Sequence, residues 1–284
     1  MTSASSDQRS VLVTGCSSGF GLLAAVTFAQ RGCRVYAALR DTAASAPLEE
    51  AASAAGVEVR VVPLDVTSTA SVEAAVAAAL ADGPLDVVVN NAGVELFGAV
   101  HLVADHEISR QLDTNVHGPV RVVRAVMPSM IANGRGTVVN VGSIAGLVGA
   151  PYSGLYAASK HALEAITEAM HFELAHLGIR VSIVEPGQFA TELAAKAMVA
   201  EAMPPGSDEH ERWQAFRTAM RGLVDGEPAS PQLVADVIVH AALDDHWQLR
   251  WPVGADADLV IDTKSTMSFE DFESTMRAAL DWHD

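Results

Sequence analysis

The sequence predicts an α/β fold built on one doubly wound parallel sheet of about seven strands, with helices on both faces. Short β-branched runs alternate with Ala-rich helical stretches along most of the 284 residues. The strand runs are almost continuously apolar, which is typical of strands buried on both faces. A Gly-rich turn follows the first strand, where such sheets bind nucleotides. Together these observations predict a Rossmann-type domain with right-handed crossovers.

Each predicted strand is followed by a helical stretch until the rhythm changes after Gly187. The predicted strands cover residues 10–15, 34–39, 57–66, 85–93, 136–143, 179–187 and 249–254. The predicted helices cover residues 20–30, 46–55, 71–80, about 105–133, 156–176, 231–243 and 268–280. Residues 189–226 read as irregular helix around the loop MPPGSDEH. With no linker and no repeat in between, we expect one domain over residues 1–284 that carries a helical substrate flap at about 189–226.

Composition excludes several classes of protein. Half of the residues are hydrophobic and 19% are charged, so the chain can bury a large core. The formal charge of −17 argues against a nucleic-acid partner, because phosphates are neutralised by Lys and Arg. The N-terminus lacks the apolar core of a signal peptide, and the uncharged stretches 11–30 and 136–159 are broken by Gly, Ser, Thr or Asn. We therefore expect a cytoplasmic protein with no membrane span.

Metal and disulfide chemistry have little support in the sequence. The only cysteines, Cys16 and Cys33, have no metal-type spacing and fit a reducing cytoplasm. The chain has ten His, but no HExxH motif occurs and no pair has the four-residue spacing expected on one helix face. We predict that no metal is bound.

The turn VTGCSSGFG, between the first strand and the first helix, predicts a phosphate site. Its glycines, Gly15, Gly19 and Gly21, permit a tight turn and a close approach of backbone N–H groups to an anion. The helix that follows offers unpaired N–H groups and the positive end of its dipole. A dinucleotide is therefore the expected ligand.

The end of the second strand decides which dinucleotide is expected. An acidic residue there would bind a ribose 2′-hydroxyl and favour NAD(H), whereas Arg would favour the 2′-phosphate of NADP(H). Leu39 occupies the place of the acid and Arg40 follows it, while Ser17 and Ser18 offer hydroxyl donors. We expect NADP(H). The neighbouring Asp41 keeps NAD(H) open as the alternative.

A phenol and an ammonium are placed for acid–base chemistry. Tyr156 and Lys160 are four residues apart, so on a helix they share one face. A nearby cation favours phenolate, and we expect the pKa of Tyr156 to fall toward working pH. Ser143 ends the fifth strand, where its hydroxyl could hold a carbonyl oxygen. Alone, a strand-end Ser is usually a cap and a helical Tyr usually packs, so the combination carries the interpretation.

The chain resembles the short-chain dehydrogenases/reductases of the shorter, single-domain branch. The matching segments occur in family order over most of the chain: TGCSSGFG at 14–21, LDVT at 64–67, NNAG at 90–93, Asn115, GS at 142–143, YAASK at 156–160 and EPGQFAT at 185–191. Within the family, VYAALRD together with the Gly loop is most similar to hydroxysteroid and retinol dehydrogenases.

The resemblance implies a role for each matching residue. Tyr156 is the implied general acid/base, Lys160 tunes it and binds the nicotinamide ribose, Ser143 orients the substrate carbonyl, and Asn115 holds a water that links Lys160 to solvent. The implied cofactor contacts are Gly15, Ser17, Ser18, Gly19, Phe20, Gly21 and Arg40 at the phosphates, Asp65 and Val66 at the adenine, Asn91, Ala92 and Gly93 along the channel, and Pro186, Gly187, Phe189 and Thr191 at the nicotinamide.

The function that follows is NADP(H)-dependent interconversion of a secondary alcohol and a ketone or aldehyde. Residues 94–100 and 144–153 are mostly apolar, and the flap offers further apolar side chains, so the small-molecule substrate is expected to be hydrophobic. The resemblance also implies a homodimer or homotetramer built on helices 105–133 and 156–176. A nucleotide-sugar isomerase or dehydratase and a catalytically silent cofactor-binding sensor remain as alternatives.

Overall fold

A seven-stranded parallel sheet forms the centre of the computed structural model, which describes residues 8–190, 192, 196–222 and 229–282. The strand order is β3-β2-β1-β4-β6-β7-β9, and a separate two-stranded ribbon pairs β5 with β8. The strands are β1 Ser10–Thr14, β2 Arg34–Leu39, β3 Arg60–Pro63, β4 Val87–Asn90, β5 Leu96–Phe97, β6 Gly136–Val141, β7 Ile179–Pro186, β8 Met198–Val199 and β9 Arg250–Val253. This architecture confirms the Rossmann-type fold.

The helices cover both faces of this sheet. Their bounds are α1 Gly19–Gln30, α2 Ala46–Ala54, α3 Thr69–Leu80, α4 Asp105–Leu112, α5 Gly118–Asn133, α6 Gly154–Leu174, α7 Asp208–Gly222, α8 Gln232–Leu243, α9 Ala255–Thr266 and α10 Phe269–Leu280. In β1, Val11 and Val13 pack against the layer of α1 and α8, whereas Leu12 packs against the layer of α3 and α5. This alternation, with all three side chains fully buried, produces a core on each face.

The direction of strand progression reverses between β1 and β4. From β1 the chain adds β2 and β3 on one side, and from β4 it adds β6, β7 and β9 on the other. The crevice at the carboxyl ends of strands at such a reversal is the usual ligand site of open α/β sheets. The Gly-rich turn after β1 lies at this crevice.

Four elements differ from the sequence prediction. The third strand is confined to Arg60–Pro63, because it is an edge strand that pairs with β2 alone over four residues. The long helix predicted at 105–133 is interrupted by a π-helical turn at Asp113–His117. Helix α9 was not predicted. The β5–β8 ribbon was also not predicted, since two-residue strands are too short to show an alternation of apolar and polar residues.

The single domain and its flap remain predictions. Within the proposed flap, α7 buries His210, Trp213 and Phe216, while 191, 193–195 and 223–226 lie outside the described residues. None of the helices in the described parts of the chain has the length and apolar character needed to span a membrane. Across the same residues, no cluster of three or more His, Cys, Asp or Glu is arranged to hold a metal.

Candidate active site

The Gly-rich turn adopts a backbone that its glycines make possible. Gly15 and Gly19 have φ values of +73° and +57°, in the left-handed region that side chains rarely adopt. Gly21 needs space instead, because a Cβ there would collide with the Gly15 carbonyl and the Asn91 amide. The backbone N–H groups of Gly15 and Cys16 both donate to Ala38 O at 3.0 Å, which ties the turn to the end of β2.

Two side chains lock this turn to the segment that follows β4. The Thr14 hydroxyl accepts hydrogen bonds from the backbone N–H groups of Asn91 (3.0 Å) and Ala92 (3.1 Å). The Asn91 side-chain amide donates to Thr14 O (2.9 Å) and Gly15 O (3.1 Å). Since a Cβ on Gly93 would meet Asn115 Oδ1 at 3.4 Å, the same segment also approaches the catalytic region closely.

The start of α1 has no side-chain cap. Ser18 is the N-cap but makes no capping hydrogen bond, and the first turn contains no acidic residue. Ser17 and Ser18 are both partly exposed, and the Ser18 hydroxyl hydrogen-bonds to the carboxylate of Glu192. The ring of Phe20 meets that of Phe189 edge to face at a centroid distance of 5.7 Å, which joins α1 to the segment after β7.

The end of β2 presents a cation. Arg40 is exposed and directly follows Leu39, the last residue of the strand. Its charge acts on Asp65. Burial raises the pKa of Asp65, but hydrogen bonds from Thr67 and the charge of Arg40 lower this pKa by a larger amount, so the net shift is downward. Asp41 turns away to cap the next turn, with its Oδ1 accepting from the Ala43 N–H at 3.0 Å.

The remaining predicted cofactor residues that the structure describes lie on α5-facing and β7-following segments. Val66 is buried against Gly118, where a Cβ would lie 3.0 Å from it. Pro186 ends β7, and the Gly187 N–H donates to Val253 O at 2.9 Å. A Cβ on Gly187 would collide with Asp256. Thr191 lies outside the described residues.

Tyr156 and Lys160 lie in the first two turns of α6, with only 8% and 6% of their surfaces exposed. Lys160 Nζ is 5.7 Å from the centroid of the Tyr156 ring. Among the described residues it donates one hydrogen bond, to Val141 O at 2.8 Å, so two of its three donors have no partner there. Ser143 lies two residues after the end of β6, and its Oγ accepts from the Ala145 N–H at 3.1 Å.

The expectation that Lys160 lowers the pKa of Tyr156 is wrong for the protein alone. Burial is the largest cause and raises the pKa of Tyr156 well above its ordinary value, and the negative charge of Glu95 raises it further. The Ser143 hydroxyl acts in the opposite direction. The phenol is therefore protonated at neutral pH.

Lys160 responds to the same burial with the opposite sign. Removal from water disfavours its ammonium and lowers its pKa to about 8, although the charges of Glu95 and Glu164 oppose the shift. An amine with this pKa exchanges protons near neutral pH, as a relay between a phenol and solvent requires.

Asn115 lies in the π-helical turn and uses its whole amide to hold the active-site floor. Its Oδ1 accepts from the Val94 N–H, and its Nδ2 donates to Val94 O, each at 2.9 Å. Nδ2 also donates to Ser159 Oγ at 3.1 Å. Ser159 in turn donates to Tyr156 O at 2.7 Å, so Asn115 is linked to the helix turn that carries the phenol.

Sequence reasoning missed four residues of this region. Gln111 Nε2 donates to Val94 O (2.9 Å) and reaches Ser159 Oγ (3.3 Å). Glu95 is partly buried and electrostatically coupled to both Tyr156 and Lys160. Arg217, on α7, stacks on aromatic rings beside Glu95. Ser159 is part of the motif YAASK. Glu95 is the single acidic residue in the apolar run VELFGAV, and this isolated charge is the signal that could have identified it.

Aromatic side chains of α7 pack against Phe97 and Tyr152. Phe97 contacts Trp213 at a centroid distance of 5.5 Å. The rings of Tyr152, Phe216 and Trp282 contact one another at 5.3 to 6.3 Å. Tyr152 has a φ of +62°, a strained conformation for a non-glycine residue, and donates its hydroxyl to Glu209 Oε2 at 3.0 Å. This ring cluster joins the C-terminal residues to α7.

The residues present fit a nicotinamide dinucleotide. Three features suit the phosphates: glycines at positions 15 and 21, where a side chain would collide, the uncapped start of α1, and the exposed Arg40. The unpartnered donors of Lys160 suit a ribose hydroxyl of a cofactor bound near Tyr156 and Ser143.

Comparison with known proteins gives the same assignment. A family model described as short chain dehydrogenase matches residues 9–202. The oxidoreductase YusZ of Bacillus subtilis is 33% identical over 279 residues, which cover 96% of this chain and 99% of YusZ. Retinol dehydrogenase 8 of Bos taurus is 40% identical over 81% of this chain and 77% of its own. Human 17-beta-hydroxysteroid dehydrogenase type 1 is 35% identical over 81% and 73%.

Solved structures share the fold over most of this chain. A short-chain dehydrogenase from Streptomyces avermitilis superimposes with a TM-score of 0.77 at 32% identity, covering 97% of this chain and 96% of that one. A variant of actinorhodin polyketide ketoreductase with NADPH gives 0.75 at 31% identity, covering 87% and 96%. A 3-ketoacyl-(acyl-carrier-protein) reductase from Brucella melitensis, complexed with NADH, gives 0.71 at 27% identity, covering 86% and 96%.

Proposed function

Because the chain belongs to the short-chain dehydrogenase family, we propose that it interconverts a hydrophobic secondary alcohol and the corresponding ketone or aldehyde, with NADP(H) preferred. The enzyme class, an NAD(P)-dependent alcohol dehydrogenase or ketoreductase, follows from its relatives and its ketoreductase neighbours. The proposal adds the cofactor preference, the substrate class and the residue roles. It rests above all on the convergence of Ser143, Tyr156 and Lys160 beside the Gly-rich turn.

Proton transfer is assigned to Tyr156. The nicotinamide supplies or accepts the hydride when it is bound. In reduction, the protonated Tyr156 hydroxyl donates to the oxygen of the substrate while Ser143 holds that oxygen by a hydrogen bond. The Tyr156 proton is then replaced through Lys160, whose pKa of about 8 allows exchange near neutral pH. Asn115 and Ser159 position this helix turn and the backbone beside it.

The preference for NADP(H) rests on the residues that follow β2. Leu39 offers no acceptor for a ribose 2′-hydroxyl, and the exposed Arg40 offers a guanidinium to a 2′-phosphate. Asp41 was the reason to keep NAD(H) open. Its Oδ1 caps the turn at Thr42–Ala44, which engages the carboxylate away from the ribose position.

A hydrophobic substrate fits the walls of the cleft. Phe97 packs with Trp213, and Tyr152 packs with Phe216 and Trp282. The partly exposed rings, those of Phe97, Tyr152 and Trp282, are assigned to the substrate side of the cleft. Retinol dehydrogenase 8 and 17-beta-hydroxysteroid dehydrogenase type 1, both relatives, are named for apolar alcohols. Burying apolar substrate surface against such rings stabilises binding by roughly 25 cal/mol per Å².

A homodimer or homotetramer is also part of the proposal. Val120 and Ile131 on α5 are exposed, and Phe172 on α6 is 80% exposed, although both helices carry large apolar residues that would gain from being covered. A cytoplasmic location remains a prediction from the sequence.

The test is NADPH consumption with a panel of hydrophobic and small polar ketones, using the wild type and Tyr156→Phe side by side. We expect wild-type turnover that prefers hydrophobic ketones, falls by about a hundredfold or more in Tyr156→Phe, and is weaker with NADH. Equal turnover in Tyr156→Phe overturns the role of the phenol. Tight NADPH binding with no turnover of any ketone, or of any alcohol in reverse, overturns the enzymatic proposal in favour of a cofactor-binding sensor.

A further inference from the structure

Glu95 is an acidic residue held in a fixed position between the active-site floor and α7. The residue before it, Val94, is bonded through both backbone polar groups to Asn115. The Glu95 carbonyl accepts from the Met198 N–H at 2.8 Å, and the Phe97 carbonyl accepts from the Ala200 N–H at 2.8 Å. With the backbone bonded on both sides, the side chain extends from a rigid support.

The carboxylate of Glu95 has no polar partner within the described residues. It makes no hydrogen bond and no salt bridge there, although the side chain is partly buried. Burial raises the pKa of Glu95, against the opposing charges of Arg217 and Lys160. Such a carboxylate is costly to bury unpaired, and a donor that reached it would lower the free energy.

Arg217 is the nearest candidate to pair with Glu95, but it is held elsewhere. Its guanidinium carbon lies 5.3 Å from the centroid of Phe97 and 4.8 Å from that of Trp213, stacked over both rings. It does not come within salt-bridge distance of Glu95. The aromatic contacts fix the arginine, so the acid remains available to a ligand.

The charge of Glu95 also acts on Tyr156 and Lys160, and the strand that follows Glu95, β5, contacts α6, which carries both residues. This charge raises the pKa values of both Tyr156 and Lys160. An unpaired carboxylate in this place opposes formation of the phenolate, so it works against the proton transfer from Tyr156. A substrate group that donated to Glu95 would offset this charge when the substrate is bound.

We propose that Glu95 is a substrate-recognition residue that binds a hydrogen-bond donor, a hydroxyl or an ammonium group, carried by the substrate beside the carbon that reacts at Tyr156. The inference rests on the proposed function and deepens it. The substrate is then an otherwise apolar ketone or secondary alcohol with one donor group next to the reacting carbon. The aromatic walls take the apolar part, and Glu95 fixes which way the reacting end faces.

The test compares three ketones that differ in one group: an alkyl methyl ketone, the same ketone with a hydroxyl on its methyl carbon, and the same ketone with an amino group there. In the wild type we expect kcat/KM to be about tenfold or more higher for both substituted ketones. In Glu95→Leu this preference should disappear. Glu95→Gln keeps an acceptor oxygen but loses the charge, so it should retain the preference for the hydroxyl and lose that for the amine, which distinguishes the two donors.

The matched control is Glu201→Gln, which removes one negative charge from an exposed side chain that contacts His106. It should keep the wild-type preference for the substituted ketones. Circular dichroism and NADPH binding by fluorescence establish that each variant is folded. Equal kcat/KM for the three ketones in the wild type overturns the inference. So does an equal loss for all three in Glu95→Leu, because Glu95 would then act only through Tyr156 and Lys160.

A second measurement separates this inference from the proposed function. Calorimetric titration of the three ketones into the protein–NADP⁺ complex, which has no hydride to transfer to a ketone, reads binding without turnover. Tighter binding of the substituted ketones, lost in Glu95→Leu, supports Glu95 as a binding residue even if no ketone is reduced, and in that case only the proposed function fails. Equal binding of all three overturns the role of Glu95 while leaving the oxidoreductase proposal to the turnover assay.

Discussion

The side chain of Asn115 binds both backbone polar groups of Val94, with its Oδ1 on the N–H and its Nδ2 on the carbonyl, each at 2.9 Å. Asn115 lies in a π-helical turn, and the widened turn aims its amide at the strand end after β4. One side chain thereby sets the spacing between the floor of the cleft and α6, to which it is also bonded through Ser159.

Replacing Asn115 by Leu should therefore damage both stability and catalysis. The change leaves the Val94 N–H without this partner, at a cost of about 1–3 kcal/mol, whereas the Val94 carbonyl keeps the hydrogen bond from Gln111. The displaced floor should also lower kcat by at least about tenfold, since small misplacements of catalytic groups reduce rates strongly. Urea denaturation and ketone-reduction kinetics measure the two effects. Asn133→Leu, whose amide bonds only within its own helix, is the control and should leave kcat unchanged.

The pH dependence of reduction should report Lys160. For the free enzyme, kcat/KM shows the pKa values of its essential acid and base. We expect an inflection near pH 8, the pKa to which burial lowers Lys160. In Lys160→Arg the guanidinium stays charged throughout, so this inflection should disappear. Its survival in Lys160→Arg would assign it to another group.

Close packing at the Gly-rich turn predicts a loss of cofactor binding in Gly21→Ala. A Cβ at this position collides with the Gly15 carbonyl and the Asn91 amide, so the turn must open. We expect the Kd for NADPH to rise by about tenfold or more, because the backbone N–H groups no longer converge on the phosphates. Fluorescence titration measures it. Gly149→Ala, where a Cβ would meet no atom within 4 Å, should bind NADPH normally.

Arg40 should control the cofactor preference. In Arg40→Leu the cation that faces the proposed 2′-phosphate is gone, and we expect the KM for NADPH to rise about tenfold or more while the KM for NADH changes little. Initial rates with both cofactors give the ratio. Arg31→Leu removes an equivalent charge at the far end of α1, where it pairs with Asp244, and serves as the control. Equal weakening of both cofactors in Arg40→Leu would contradict the assignment.

Local patterns in the sequence were sufficient for the sheet and for the groups that share one motif. Val11 to Val13 read as a buried strand because every side chain is apolar, and Tyr156 and Lys160 read as neighbours because helical spacing fixes their separation. The pKa of Tyr156 was not predictable in this way. It is raised by burial and by Glu95, which is distant in sequence and reaches the phenol only through the packing of the floor against α6.

Edges and tertiary contacts explain the other differences. The third strand read as ten residues, but only four find a partner, since β2 is its sole neighbour. The π-helical turn at Asp113–His117 leaves no mark on an apolar period, and the tight packing of Gly118 on Val66 became visible only in three dimensions. The β5–β8 ribbon likewise depends on two segments that are about a hundred residues apart.

A buried carboxyl pair predicts an unusual dependence of stability on pH. Glu185 is 1% exposed, and its carboxyl group forms a side-chain hydrogen bond with that of Glu164. It lies against Glu164, and both carboxyls share Arg250, at 3.5 Å and 3.0 Å. Burial raises the pKa of Glu185, and the charge of Glu164 raises it further; burial also raises the pKa of Glu164.

The sign of the effect follows from proton counting. Between the ordinary pKa of a Glu, 4.5, and the raised value in the fold, the native state holds a proton that the unfolded chain has lost. The free energy of unfolding therefore decreases as pH rises through this window. Glu185→Gln is neutral in both states and should remove this part of the decrease, so its stability relative to the wild type should improve from pH 5 to pH 7. Urea denaturation at the two pH values measures the difference.

Glu168→Gln, an exposed partner of the same Arg250, is the control and should keep the wild-type slope. A Glu185→Gln variant with the wild-type slope would mean that the proton resides on another group.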